Sequence, residues 1–229
     1  MAESYSAQVV AVLAGVVERC ADPAQRAWFA GALVAARSRS AADVATAYAG
    51  ASRRLRATPA TISSDDAGTV ERCGLRRVET WSLDRMARAA LVCEMARWPD
   101  ATEVVDQTYR SGDNDERIAL LGVLAALPDA ARFASTAVSA CRTNVTSVFE
   151  AIVCDNPYPA AHFSDAELNQ MVLKALFTGV SVARIEGLSA RANGELARMV
   201  EAYASERRAA GRSVPGDVDL ILAMETSLS

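Results

Sequence analysis

The sequence predicts an all-α protein of about ten helices in antiparallel pairs, arranged as an irregular HEAT-like α-solenoid or as a helical bundle. Composition is the first observation behind this. The 229 residues include 47 Ala against 12 Gly and 7 Pro, and alanine is the best helix former while glycine and proline are the worst. Periodicity is the second: apolar residues recur at steps of three and four through most of the chain, which is the period of one helix face. The third is the lack of any convincing alternating run that would read as a strand. No fixed-period repeat is found, so a regular TPR or ankyrin array is not supported. Hydrophobic residues at 51% and charged residues at 23% place the chain among globular proteins, as a single domain over residues 1–229.

Taken in order, Val9, Val10, Leu13, Val16 and Val17 form the apolar face of a first helix over about 5–20. Asp22 followed by Pro23 is a helix start, an N-cap residue with proline at the first helical position. The helix it opens carries Trp28, Phe29, Ala32, Leu33 and Ala36 on one face. Ser40 or Asp43 opens a third helix that runs to about Leu55. Residues 57–78, with Thr58-Pro59, Ser63-Ser64-Asp65-Asp66 and Gly68, carry turn chemistry and no apolar stripe, so an irregular, mobile loop is expected there. Helices follow over about 83–97, stopped by Pro99, and about 102–109. Asn114-Asp115-Glu116 place acids on the N-terminal dipole of an apolar helix over 118–127. Pro128 ends that helix and begins the next, over 129–140. Thr143 is positioned to cap a helix carrying Val145, Val148, Phe149 and Ile152. Ser164-Asp165-Ala166-Glu167 is a capping box that opens the apolar helix of Leu168, Val172, Leu173, Leu176 and Phe177. Asn193 caps another, ended by Gly211, and a last amphipathic piece follows Pro215.

Bulk charge narrows the function. The net charge is −4 and the pI about 5.2, which argues against nucleic-acid binding through a broad basic surface. The acidity lies in the second half: residues 1–110 hold 14 basic and 13 acidic side chains, residues 111–229 hold 10 and 15. Of the 24 basic residues all but Lys174 are arginine. The longest uncharged run, Ser4 to Val17, has 14 residues and is too short to span a bilayer. Glu3 stands where a signal peptide would carry positive charge. A cytoplasmic protein without membrane insertion is expected.

The five cysteines, at 20, 73, 93, 141 and 154, include no CxxC pair, so reduced and mostly buried thiols are expected rather than zinc ligands or disulfides. With His162 as the single histidine, a multi-histidine metal site is not built from one chain, and this residue reads as a surface or capping histidine. The Mg²⁺ signatures of helical terpene synthases fail. Asp65-Asp66 is followed by Ala67, Gly68 and Thr69 without the third acid, and Asn144, Ser147 and Glu150 have the wrong spacing for the second signature. No Gly-rich phosphate loop occurs. No metal, cofactor or catalytic residue is therefore expected.

The densest polar stretch runs from Arg142 to Lys174, and its candidates for ligand or partner binding are Arg142, Asn144, Glu150, Asn156, Tyr158, Asn169 and Lys174. Pro157 and Pro159 stiffen the backbone around Tyr158. A rigid turn there presents Asn156 and Tyr158 to a ligand, or forms a structural corner in which Asn156 caps local backbone. Lys174 is the sole amine available for a Schiff base, or a lysine snorkelling at the edge of an apolar face.

Within residues 142–212 the pieces RTN…VFEAI, NPYP, NQMVLKALF, RI-x-GL and ELARM…YA-x-ER-x-AAGR resemble the EboA family of metabolite-traffic proteins, and residues 116–133 extend the likeness more loosely. Leu168 stands where relatives often carry an aromatic residue. The resemblance implies a helical protein encoded beside prenyltransferase-like and sugar-phosphate-cyclase-like proteins, in clusters that move or mature secondary metabolites, including delivery of precursors toward the periplasm. It carries over no catalytic residues. The expected function is a non-catalytic binding or adaptor protein. Its partners would be other proteins of the same cluster and a small hydrophobic metabolite. A structural interaction module without a ligand is the alternative. A second alternative is an enzyme acting on an isoprenoid or phenolic intermediate, with Glu150 or Lys174 as its acid–base group.

Overall fold

The computed structural model describes residues 2–226, with side chains described from Tyr5 to Met224; the side chain of Glu3 lies outside this range. Fourteen α-helices and four short 3-10 turns are present among the described residues, with no strand. The chain divides into two compact units, Met1–Ala151 and Ile152–Ser229. The division falls within α9 (Thr146–Val153).

The first unit is organised by α5 (Leu83–Met95). Every residue of α5 except Arg85 is buried, the signature of a helix enclosed on all sides rather than on one stripe. Around it pack α1 (Ala2–Cys20), α2 (Pro23–Arg37), α3 (Ala41–Leu55), α6 (Ala101–Ser111) and α7 (Asn114–Leu121). A central helix wrapped by its neighbours is a bundle, so of the two arrangements open at the sequence level this unit takes the bundle. Val9, Leu13, Val16 and Val17 of α1, Phe29 and Leu33 of α2, and Tyr48 and Leu55 of α3 are buried.

Burying α5 also buries charge, which has to be partnered. Arg88 is 1% exposed. Its Nε donates to the Tyr48 carbonyl at 3.0 Å, Nη1 to Asp84 Oδ2 at 3.0 Å and Nη2 to Ser52 Oγ at 2.8 Å. Glu116 Oε1 lies 3.7 Å from Nη2. The Tyr48 hydroxyl donates to the Glu116 carbonyl at 2.6 Å. Burial works against the Asp84 carboxylate, but the Ser82 hydroxyl, Arg88, Arg56 and Ser52 together hold its pKa below the usual carboxylate value.

The expected irregular loop over 57–78 is corrected. It contains α4 (Ser64–Arg72), with Ser63 as N-cap accepting from the Asp66 amide at 3.1 Å. The helix shows no apolar stripe because Val70 is its one buried side chain. Capping and charge hold it instead: Asp65 and Asp66 sit in the first turn, Arg72 in the last, and Arg19 of α1 pairs with Asp66 at 2.6 Å. Further on, the expected helix over 129–140 is split into a 3-10 turn, Ala130–Phe133, and α8 (Ala134–Ala140).

The second unit holds α10 (Tyr158–His162), α11 (Asp165–Thr178), α12 (Leu188–Arg191), α13 (Gly194–Ala209) and α14 (Asp217–Thr226). α13 packs against α11 and α14. The capping box at Ser164 forms as expected, Ser164 accepting from the Glu167 amide at 3.3 Å and Glu167 from the Ser164 amide at 2.9 Å. Asn193 accepts from the Leu196 amide at 3.0 Å. Gly187 (φ 74) is required where α12 comes closest to α10: a Cβ there would stand 2.7 Å from that of Ala160.

Candidate functional site

The seven polar residues singled out from the sequence are distributed over both units. Arg142, Asn144 and Glu150 belong to the first unit. Arg142 and Asn144 are exposed in the turn before α9, and Glu150 is half-buried within it. The turn is held by Thr143, whose hydroxyl accepts from the Val145 amide at 3.1 Å. Asn156, Tyr158, Asn169 and Lys174 belong to the second unit.

There the local hydrogen bonds are those of a structural corner. Asn156 is buried and its Oδ1 accepts from the Tyr158 amide at 3.0 Å, an Asx turn that starts α10. The Tyr158 ring is fully buried, 4.6 Å from His162 and edge-on to Phe163 at 6.3 Å. Burial raises its pKa well above the ordinary tyrosine value. Asn169 is buried on α11 and exchanges amide hydrogen bonds with Asn193, at 3.0 and 3.1 Å. Lys174 lies half-buried one turn further along α11.

A concave site lies in the first unit. A cavity of about 560 Å³ is lined by Ala36, Arg37 and Arg39, by Glu94, Ala96, Arg97 and Trp98, and by Pro128, Asp129 and Arg132. Three chain segments build it: the end of α2, the end of α5 with the turn after it, and the turn that leads into the 3-10 segment before α8. None of the seven sequence candidates lines it.

Local chemistry explains how each wall is held. Glu94, 6% exposed, is clamped by Arg37 Nε at 2.9 Å and Arg97 Nη1 at 3.7 Å. Trp98 is buried and its indole N–H donates to the Ala36 carbonyl at 2.8 Å, tying the turn after α5 to the end of α2. Arg132 donates from Nη2 to the Ala96 carbonyl, and its guanidinium lies 4.9 Å over the Phe133 ring. Its Nε is buried with no hydrogen-bond partner among the described residues.

Two lining residues have left-handed backbone although neither is glycine, Arg39 at φ 62 and Asp129 at φ 48. Arg39 follows the C-cap of α2. The Ser40 amide donates to the Ala35 carbonyl at 2.9 Å and the Arg39 amide to the Ala36 carbonyl at 3.3 Å. That pair of bonds is a Schellman motif, whose left-handed position is normally glycine. A side chain there costs on the order of 1–2 kcal/mol. Among the described residues the Arg39 side chain has no hydrogen bond or ion pair.

Four guanidinium groups thus share one concavity with two carboxylates, Glu94 and Asp129. Guanidinium donors match carboxylate and phosphate oxygens in pairs, so the chemistry of this wall suits an anion. A second cavity of about 300 Å³ lies between α3, α5 and α6 and is lined mainly by Ala41, Ala42, Ala45, Met95, Trp98 and Val104. Trp98 is therefore a wall of both. Sequence reading missed these arginines because they are far apart in the chain and arginine is abundant throughout. The one local hint is Arg37-Ser38-Arg39-Ser40, a charged residue where a helix ending would favour glycine.

The model of one protein family, described as Metabolite traffic protein EboA, matches residues 9–222. The match therefore includes residues 9–115, ahead of the segments that carry the resemblance in the sequence. No curated protein and no solved structure matches the chain.

Proposed function

The chain belongs to the EboA family, and from that premise we propose that it is a non-catalytic binding component of metabolite traffic. In this reading it holds a precursor while other proteins of the same cluster mature or export it, and it acts in the cytoplasm. The observation that carries the reading is the arginine-walled cavity at the end of α5, about 560 Å³ in volume, within the range of small-molecule sites. Its walls suit retention, because guanidinium groups grip acidic oxygens in pairs. Among the described residues no helix is long and apolar enough to cross a membrane.

The test is native mass spectrometry on the protein purified gently from its own host. A reproducible extra mass of small-molecule size, released on denaturation, is the expected result and identifies the metabolite. Bare protein from a host whose cluster is switched on would count against a carrier role. Retention of a second protein without any small molecule would favour the interaction module instead.

A further inference from the structure

We infer that the arginine-walled cavity takes an amphiphilic acid, a small molecule whose phosphate or carboxylate head faces Arg37, Arg39, Arg97 and Arg132 and whose apolar body runs against Trp98. This rests on the reading of that cavity as the ligand site and adds the chemical class of the ligand.

Charge inside the cavity is unbalanced. Four arginines face two carboxylates, and Glu94 is already bound by Arg37 and Arg97. Arg39 is left without an ion pair among the described residues, and the buried Nε of Arg132 without an acceptor. The exposed guanidinium of Arg39 and the unbalanced charge leave room for an acidic group in the cavity. Arg132 is also pre-positioned, fixed by the Ala96 carbonyl and the Phe133 ring, so little side-chain freedom is lost when an anion binds.

Backbone strain points the same way. At the left-handed position of the α2 ending, glycine would relieve the strain at φ 62. Strain of this kind clusters at ligand sites, and here it presents a guanidinium to the cavity. Dipole complementation does not account for Arg39. Arg37 already occupies the last turn of α2, where a cation best complements the helix end.

The apolar half follows from Trp98. It lines both the charged cavity and the neighbouring one of about 300 Å³, whose other walls include Ala41, Ala45, Met95 and Val104. An acidic head held by the arginines would place the body of the ligand towards the Trp98 wall that the two cavities share.

The experiment is calorimetric titration of the full chain with octyl phosphate, octanoate and octyl glucoside, repeated on Arg39→Gly and on Arg198→Ala. Arg198 is an exposed residue of the second unit that pairs with Glu195 and lines no part of this cavity. Arg39→Gly removes the charge but suits the backbone, so its unfolding midpoint is expected to stay level or rise. Binding of octyl phosphate or octanoate at least tenfold tighter than octyl glucoside is expected. Arg39→Gly should weaken it at least fivefold, and Arg198→Ala should leave it unchanged. The ratio between the two acids separates a phosphate from a carboxylate head.

Equal binding of the glucoside, no binding of either acid, or undiminished affinity in Arg39→Gly overturns the inference. A co-purified ligand retained in full by Arg39→Gly also overturns it, and that outcome leaves the carrier role standing.

Discussion

Arg88 is a full positive charge in the middle of the most enclosed helix of the protein, and its five donors explain why it is tolerated there. Three hydrogen bonds between 2.8 and 3.0 Å engage the Tyr48 carbonyl, Asp84 and Ser52, and Glu116 stands 3.7 Å away. Truncating one partner of such a buried pair leaves the other charge unmatched, so Arg88→Ala should lower unfolding free energy by ~3–5 kcal/mol in urea denaturation. Arg56 reaches the same Asp84 carboxylate from 3.6 Å, but its side chain is 53% exposed. Water replaces it when it is removed, and Arg56→Ala should cost far less. Comparable losses from the two variants would mean that Asp84 rather than Arg88 organises the cluster. At Arg39 the balance is reversed: among the described residues its side chain has no hydrogen bond or ion pair to offset its left-handed backbone, so Arg39→Gly should stabilise by about 1 kcal/mol. A thermal midpoint lowered by that substitution would place the Arg39 side chain among the residues that hold the fold together.

Helix ends were the most legible elements of this sequence, because a cap is local and its residues stand three apart. Asp22 with Gln25, Ser164 with Glu167, and Asn193 ahead of Leu196 all form the bonds that their spacing implies. Where a cap replaces an apolar stripe, as in α4, periodicity alone fails, and residues 64–72 read as loop although they are helical. The two serine N-caps of α3 and α11 show how geometry decides the energetic effect. Ser164 satisfies the Glu167 amide, and Ser164→Ala should cost about 1 kcal/mol, lowering the thermal midpoint by about 2–4 °C. Ser40 makes no cap bond to the backbone; its hydroxyl donates to the Asp43 carboxylate at 2.5 Å instead. Ser40→Ala should therefore shift the midpoint by less than half as much. Equal shifts would show that the serine backbone conformation, and not the side-chain bond, is what matters at these ends. The candidate site was legible at none of these local scales. Arg37, Arg97 and Arg132 come together only through the packing of α2 against α5 and the turn near Asp129, a tertiary fact with no sequence period.

At the scale of the whole molecule, the groups whose pKa values burial displaces set how stability varies with pH. On the acid side His162 is held below its ordinary value of 6.5 by burial against Tyr158. As pH falls below 6.5 the unfolded chain takes up a proton that the folded chain resists, so stability declines through that window. Asp84 acts lower. Its folded pKa lies below 3.8, so its contribution is complete above that value and is lost as pH falls beneath it. On the alkaline side the buried Cys93 thiol is pushed from 9.0 up to about 12. Above pH 9 the unfolded thiol ionises while the folded one does not, and stability declines again. The Cys73 thiol, also raised from 9.0 by burial, adds to that loss, and Tyr48, Tyr109 and Tyr158, all raised from 10.0 by burial, add to it at higher pH. Arg85, lowered to about 10 by burial, opposes it, since above pH 10 the folded chain is relieved of a buried charge. One group against five leaves the alkaline fall in place. Urea midpoints should accordingly be level between about pH 6.5 and 9 and fall on both flanks. His162→Phe, which keeps a ring against Tyr158, should flatten the step between pH 6.5 and 5, and Cys93→Ala should make the one that starts at pH 9 shallower, leaving the part that Cys73 contributes. An acid flank identical in His162→Phe and the parent chain would transfer that step to the carboxylates. The level range would then extend down to the point at which Asp84 takes up its proton.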